Sequence, residues 1–213
     1  RVFAGDGTYR FWDGHSTFDL DLATRRVTGQ IHPASLLDAH TFAHATILIV
    51  VAVCLRLERR FHLHGGLVEL PGCGPVLIAG DAGRGKSTTT LSLLMQGGRF
   101  ASDDALYLVP ETRRVHGFPK ALHVSERSAR AFPELLPLWS TARDAETGKR
   151  AIPPRSAFPG RLRASLGWPA ALLFPVVEDR EVTEVEALDR SEALGELIGA
   201  SAFVVVDGLP HMQ

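Results

Sequence analysis

The sequence predicts an α/β fold that is preceded by a β-rich N-terminal appendage. A short apolar strand at Val76–Ala79 runs into a glycine-rich loop and then into a helix-forming run at Lys86–Gln96. From Phe61 onward, strand-like and helix-like patterns alternate, which is typical of an α/β domain. Residues 1–31 read as strands instead. We therefore predict N-terminal strands plus a long helix over 1–60, and an α/β core over 61–213 that forms one compact unit.

The N-terminal elements follow from turn signals and periodicity. Tyr9–Trp12 is predicted as a short strand, and Asp13-Gly14 is a strong hairpin signal. Phe18–Leu22 alternates apolar and polar residues, as a half-buried strand does. Pro33–Arg59 is ambiguous, because its β-branched run Ile47–Val53 favours a strand. Its length of roughly 25 residues without glycine or an internal proline favours one long, largely buried helix.

The remaining elements are predicted in the same way from periodicity, caps and turn residues. A loop is expected at Ser140–Pro159, which is polar and rich in proline. The other predicted elements are a strand at Phe61–Leu70, a strand at Arg99–Ser102, a hairpin of Leu106–Val109 with Arg113–Phe118, a helix from Ser125 to Phe132, a strand at Ala170–Phe174, a helix at Ser191–Ile198 and an apolar run at Ala202–Val206.

Composition narrows the classes of partner. The chain has 213 residues and a formal net charge of −1, so nothing indicates a nucleic-acid or membrane-surface partner. Its two cysteines are too few for a disulfide framework and fit a reducing, cytoplasmic location. The longest apolar run without Asp, Glu, Lys or Arg is Ala39–Leu55, which includes two histidines. It falls just short of the roughly 18–20 residues that a membrane span needs.

The glycine-rich loop carries the strongest chemical signal. Its residues fit the P-loop pattern G-x-x-x-x-G-K-[ST] and read Gly80, Asp81, Ala82, Gly83, Arg84, Gly85, Lys86 and Ser87, followed by Thr88. Glycines let the backbone turn so that N–H groups cradle phosphates at the helix N-terminus. Lys86 would place its charge against the β- and γ-phosphates, and Ser87 would offer its hydroxyl to Mg²⁺. The alternative is a glycine turn with an incidental lysine. The strand before the loop and the helix after it favour binding of ATP and Mg²⁺.

An acidic pair follows the next strand. Arg99–Ser102 leads into Asp103 and Asp104, and a catalytic P-loop usually works with an acidic site elsewhere. One carboxylate can hold Mg²⁺ while the other accepts the proton of an attacking hydroxyl. The alternative is a solvated strand end or a turn residue that caps its own backbone. The position just after the P-loop helix favours the functional interpretation.

These motifs resemble a known family. His64–Glu69, then the P-loop, then Gly98–Asp104 is similar in order to the core of bacterial HPr kinase/phosphorylase, with its His-Gly strand, its P-loop and its Asp-Asp pair. The match covers Phe61–Leu108. The resemblance implies an α/β domain related to phosphoenolpyruvate carboxykinase, with a mixed sheet flanked by helices. It also implies ATP-dependent phosphorylation of a protein seryl hydroxyl.

The resemblance assigns roles to individual residues. It implies that Asp103 is the general base, that Asp104 helps Ser87 to bind Mg²⁺, and that His64 lies near the transferred phosphoryl group. The division of labour between the two aspartates is left open. For His64 the alternative is a solvated pair with His62, since the two alternate on one strand.

The sequence also departs from the family. The later arginine-containing signature, which serves the reverse phosphorylase reaction, is not found, so that reaction is left open. The N-terminal part lacks the usual regulatory domain, and the chain therefore resembles short HPr-kinase-like proteins, some of which modify precursor peptides in natural-product gene clusters such as those for lasso peptides.

We therefore predict an ATP-dependent kinase that phosphorylates a hydroxyl, most simply a serine of a protein or peptide. The alternatives are a nucleotide-binding module with little catalysis and a small-molecule kinase. Lys149, Arg150 and Arg155 are candidate contacts for phosphate or an acidic substrate, although most such charges are simply solvated. The oligomeric state is left open, with a homo-oligomer as one option.

Overall fold

The computed structural model of the chain divides into two units, whose boundary falls between Arg60 and Phe61. The structure describes residues 2–5, 7–37, 42, 47–118, 120–145, 148–179 and 182–201. No helix in these ranges is long and apolar enough to cross a membrane. The predicted apolar run at Ala202–Val206 lies outside the described residues.

The first unit is built on an antiparallel meander of four neighbouring strands. The strands are β1 (Val2–Gly5), β2 (Thr8–Trp12), β3 (Thr17–Asp21) and β4 (Arg26–Gln30). Alternate side chains of β2 and β3 are buried, which is the period-two pattern of a half-buried sheet. They pack with residues of helix α1 (Leu48–Leu57) around a small core of Tyr9, Phe11, Phe18, Leu20, Val50 and Val53.

The single long helix predicted for Pro33–Arg59 is wrong at its start. Pro33–Leu36 forms a short 3₁₀ helix, in which the side chain of His32 accepts a hydrogen bond from the Ala34 N–H. Leu37 is 89% exposed, so this segment lacks the buried apolar face that would stabilise the predicted helix. The run that begins at Ile47 is helical, because α1 begins at Leu48, and the strand alternative for it does not hold. Residues 38–41 and 43–46 lie outside the described residues.

The second unit contains a mixed sheet, which confirms the predicted α/β class. The strand order is β13-β9-β8-β5-β6-β14, with β7 also paired to β5. Every pair is antiparallel except β14 with β6. The strands of this sheet are β5 (Phe61–Leu70), β6 (Gly74–Ala79), β7 (Arg99–Ser102), β8 (Ala105–Val109), β9 (Arg114–Gly117), β13 (Ser165–Gly167) and β14 (Ala171–Leu173).

Five α-helices, two short 3₁₀ helices at Pro110–Thr112 and Pro133–Leu135, and a small second sheet are described in the same unit. The α-helices are α2 (Lys86–Met95), α3 (Glu126–Ala131), α4 (Leu136–Thr141), α5 (Pro154–Ala157) and α6 (Arg190–Gly199). The second sheet has the order β10-β12-β11, with strands β10 (Leu122–Val124), β11 (Arg143–Asp144) and β12 (Arg150–Ile152). The predicted loop at Ser140–Pro159 is therefore wrong over its described residues, since it contains two strands and a helix.

Strand β5 organises the site because each of its halves has different neighbours. Its first half, Phe61–His64, pairs with β8. Its second half pairs with β6 on one side and with β7 on the other. Strands β7 and β8 follow each other along the same side of β5, and Asp103 and Asp104 lie in the short link between them. Two apolar clusters of buried side chains cover the sheet of this unit, one that includes Phe100 and one that includes Leu106.

Candidate active site

The glycine-rich loop joins the end of β6 to the start of α2. Gly80, Gly83 and Gly85 have φ values of 132°, 84° and 94°, a region that side-chain-bearing residues rarely adopt. Gly85 is the N-cap of α2 and provides no side-chain cap. The first N–H groups of a helix have no partner within it, so the loop presents backbone donors together with the positive end of the helix dipole. This arrangement is suited to binding an anion.

Lys86 is buried at the first position of α2 and turns back over the loop. Its Nζ donates hydrogen bonds to the carbonyl oxygens of Gly80 and Asp81, both at 2.8 Å. Burial lowers the pKa of Lys86, while nearby Asp81 and Asp104 act in the opposite direction. The charge of Asp104 therefore acts on the loop lysine from across β5.

The acidic pair and the loop lie on opposite sides of β5 at the same level. The Gly65 N–H donates to the carbonyl oxygen of Asp104 at 3.0 Å. On its other side, Gly65 pairs with Ala79, the last residue before the loop. Neighbouring strands are about 4.8 Å apart, so two such steps separate the backbones of Asp104 and Ala79 by about 10 Å. A triphosphate held on the loop can therefore extend toward the carboxylates.

A local turn fixes the direction of the acidic pair. The Ser102 hydroxyl donates to the Ala105 carbonyl oxygen at 2.6 Å and accepts from the Asp104 N–H at 3.4 Å. Ser102 is fully buried, so this turn is protected from water. The strand end predicted from sequence is therefore a constrained kink, and the solvated alternative does not hold for Asp103, which is only 8% exposed.

The two carboxyl groups have opposite electrostatic environments. Burial, reinforced by the negative charge of Asp104, raises the pKa of Asp103 to about 7. Asp104 is more exposed and lies 3.1 Å from Nδ1 of His64 and 2.6 Å from Nζ of Lys120. The hydrogen bond from His64, together with that from Lys120, holds the pKa of Asp104 well below its usual range. One acid is therefore ionised at neutral pH, and the other can gain or lose a proton there.

The two histidines of β5 differ in their surroundings. His64 is on the site side, with its side chain 46% exposed and within reach of Asp104. His62 is buried, and its ring lies 5.3 Å from that of Tyr107. Burial lowers the pKa of His62. The alternative of a solvated pair is therefore wrong for His62, and His64 is the histidine that contacts Asp104.

Ser87 and Asp104 remain the candidate magnesium ligands. Mg²⁺ prefers oxygen ligands and usually keeps few protein ones, and a hydroxyl with an ionised carboxylate fits that preference. Each Asp104 oxygen already has one partner but has a further lone pair to offer. Within the described ranges no cluster of three or more His, Cys, Asp or Glu side chains could hold a metal. A Mg²⁺ ion held by Ser87 and Asp104 would take the rest of its ligands from phosphate oxygens and water.

The candidate basic residues downstream have other surroundings. Arg150 lies over the ring of Trp139 at 4.4 Å and donates to the carbonyl oxygens of Trp139 and Ser140. This residue holds the small second sheet against α4. Lys149 is close enough for its charge to lower the pKa of Lys86. Arg155 is exposed on α5.

Sequence reasoning missed two charged contacts of the site. Lys120 reaches Asp104, although it is separated from it by the whole β8–β9 hairpin. Arg84 of the loop forms a 2.9 Å ion pair with Glu196 of α6. The β8–β9 hairpin was predicted. Lys120 follows its second strand, and the hairpin returns the chain toward the start of β8, so its position could have indicated the contact with Asp104. Nothing in the pattern of α6 indicated that it reaches the loop.

Comparison with known proteins gives a consistent result over the same segment. Residues 56–123 match the family model described as the HPr Serine kinase C-terminal domain. HPr kinase/phosphorylase of Lacticaseibacillus casei (strain BL23) is 38% identical over 84 residues, which cover 34% of this chain and 26% of the relative. That of Limosilactobacillus reuteri (strain DSM 20016) is 39% identical over 89 residues, which cover 40% and 28%.

The chain thus spans about a quarter of the length of these curated relatives. Among solved structures, the Hpr(Ser) kinase/phosphatase from Coxiella burnetii matches with a TM-score of 0.35 and 16% identity, over 59% of this chain and 65% of that one. The resemblance predicted from the sequence is confirmed: residues 56–123, which hold the glycine-rich loop and the acidic pair, are similar to the HPr serine kinase C-terminal domain.

Proposed function

We propose that this chain is an ATP-dependent kinase that transfers the γ-phosphoryl group to a hydroxyl, most simply a serine of a protein or peptide. One observation supports this more than any other. A buried carboxyl group, Asp103, lies beside an ionised one, Asp104, across a single strand from a glycine-rich helix N-terminus. The relatives that match this segment are HPr kinase/phosphorylases, which supports phosphoryl transfer as the chemistry.

The loop would hold the triphosphate. The N–H groups at the start of α2 and the Lys86 ammonium are donors for the phosphate oxygens. Lys86 would exchange its present contacts with the carbonyl oxygens of Gly80 and Asp81 for contacts with the β- and γ-phosphates. Magnesium, if held by Ser87 and Asp104, would neutralise charge on the β- and γ-phosphoryl oxygens.

Asp103 would act on the acceptor. The hydroxyl oxygen forms a bond to the γ-phosphorus while the bond from phosphorus to the bridging oxygen breaks, and its electron pair leaves with ADP. The hydroxyl proton passes to the Asp103 carboxylate. A base works best when its pKa is near the working pH, and the pKa of Asp103, about 7, meets that condition.

A radiolabelled-ATP transfer assay against candidate peptides and neighbouring gene products tests this function. Asp103→Asn should reduce transfer by about a hundredfold or more, because general bases contribute about 10²–10⁴-fold. ATP affinity should stay within about threefold of the parent, since Asp103 is not a phosphate ligand. Asp144→Asn, which changes an exposed carboxylate on β11, is the matched control and should transfer normally.

Two outcomes would favour the alternatives. If the parent binds ATP but labels nothing, and Asp103→Asn behaves identically, the chain is a nucleotide-binding module. If label appears on small hydroxyl compounds and on no peptide, the chain is a small-molecule kinase. Lys86→Ala should weaken ATP binding in every one of these cases, because all of them place the phosphates on the same loop.

A further inference from the structure

Lys120 is placed at the site by the backbone as well as by its side chain. The Lys120 N–H donates to the Phe118 carbonyl oxygen at 2.8 Å, and the Phe118 N–H donates to the Ala105 carbonyl oxygen at 3.0 Å. Ala105 directly follows Asp104. The end of β9 is therefore tied to the start of β8, and the lysine that follows β9 is brought beside the acidic pair.

The side chain of Lys120 has donors to spare. Its Nζ lies 2.6 Å from Oδ2 of Asp104, and the side chain is 28% exposed. An ammonium carries three N–H donors, and this contact uses one of them. Two donors of this ammonium therefore remain for an anionic ligand.

Lys120 contacts Asp104 directly, whereas Lys86 lies on the glycine-rich loop on the other side of β5. Lys86 lies on the loop side, where Asp104 influences it electrostatically, and Lys120 lies on the β9 side. A γ-phosphoryl group that moves from the loop toward Asp103 develops charge on its non-bridging oxygens between these two cations. Fixed cations at that position stabilise the transition state more than the bound nucleotide.

We propose that Lys120 is a second phosphoryl-binding residue that contacts the non-bridging oxygens of the phosphoryl group in transit while it keeps its contact with Asp104. Lys120 neither gives up nor takes a proton, and the bonds made and broken are those of the transfer itself. This assignment depends on the proposed kinase function. It predicts that Lys120 contributes more to binding of the transition state than to binding of the ground-state nucleotide.

Binding of a transition-state analogue tests the assignment directly. The parent and Lys120→Met are titrated with ADP·Mg²⁺ and with ADP·Mg²⁺ plus aluminium fluoride, which mimics the phosphoryl group in transit. We expect Lys120→Met to lose about a hundredfold in affinity for the fluoride complex and to stay within about threefold for ADP. Lys120→Arg, which keeps the charge, should recover part of the loss. Equal changes for the two ligands would mean that Lys120 only holds Asp104 in place, and would overturn the proposal.

Arg130→Met is the matched control, because it breaks an exposed ion pair of the same 2.6 Å length with Glu126. It should bind both ligands as the parent does, and a selective loss of the fluoride complex in this variant as well would overturn the specific role of Lys120. If the parent binds neither ADP nor ATP, the kinase function itself fails, and the Lys120 assignment fails with it.

A second measurement needs no variant and so does not depend on Lys120→Met folding. The lysines of this chain are Lys86, Lys120 and Lys149, so chemical acetylation read by mass spectrometry resolves each one. Lys120 should be acetylated more slowly with the fluoride complex than with ADP alone. Equal rates at Lys120 under both conditions would contradict direct contact with the phosphoryl group.

Discussion

At the scale of single residues, the candidate site contains two adjacent aspartates with different surroundings. Asp103 is buried, and Asp104 is held by His64 and Lys120. Because the negative charge of Asp104 also acts on Asp103, the pair separates into one firmly ionised group and one that titrates near neutrality. The sequence indicated that the two acids would divide their roles. It could not say which would be buried, because burial depends on the turn made by Ser102.

The pKa of Asp103 predicts how stability changes with pH. Its value of about 7 in the folded protein lies above the usual 3.8, so folding favours the protonated form. This contribution is complete below the usual value and is lost as pH rises through about 7. The unfolding free energy of the parent should therefore fall relative to that of Asp103→Asn, by up to about 4 kcal/mol between pH 4 and 8.

Denaturant unfolding of both proteins across this pH range, without nucleotide or divalent metal, measures the effect. The difference between the two proteins should level off above about pH 8, where Asp103 is ionised in both the folded and the unfolded parent. Curves that stay parallel from pH 4 to 8 would mean that the Asp103 carboxyl is not buried as described.

At the scale of elements, the contact between β5 and α2 supports the loop. A Cβ added to Gly66 would lie 2.3 Å from Oγ1 of Thr90, which is fully buried on α2. A glycine at this point allows the helix to approach the strand closely. Strand β5 is continuous through both glycines, as the predicted strand at Phe61–Leu70 requires, and the second glycine serves its packing against α2.

Gly66→Ala should therefore destabilise the protein by about 1–3 kcal/mol, the usual cost of overpacking a core. Gly195→Ala on α6 is the control, because nothing lies within 4 Å of the added Cβ and alanine favours a helix. Adding Thr90→Ala to Gly66→Ala should restore part of the loss, since the next nearest atom is Ile78 Cδ1 at 3.4 Å. Thermal unfolding of the variants reports the order, and a neutral Gly66→Ala would contradict the close packing.

At the scale of the whole molecule, local sequence signals predicted many of the helices and strands, but they did not predict which of these elements contact each other. The strand, glycine loop and helix could be predicted because each depends on neighbouring residues in the chain. The contact between Lys120 and Asp104 could not, because it requires that β5 exchange one partner for another halfway along its length. The short strands β11 and β12 were missed for a similar reason. Arg150 anchors them to Trp139, a contact that periodicity does not reveal.

The same limit applies to α6, which was predicted as a helix but without a place in the fold. Its Glu196 binds Arg84 of the loop, and the Ala200 carbonyl oxygen accepts a hydrogen bond from the N–H of His64. The last described helix therefore contacts both the glycine-rich loop and the strand that carries the candidate histidine. Such contacts join residues that are more than a hundred positions apart in the sequence.

The central claim is that the loop and the acidic pair serve one nucleotide. A crystal structure of the chain with ADP, Mg²⁺ and aluminium fluoride tests it most directly. We expect the diphosphate on the amides that begin α2, and the fluoride group within hydrogen-bonding distance of the Lys86 ammonium and facing the Asp103 carboxyl. Nucleotide bound elsewhere, or bound on the loop with its fluoride group pointing away from both aspartates, would contradict the claim.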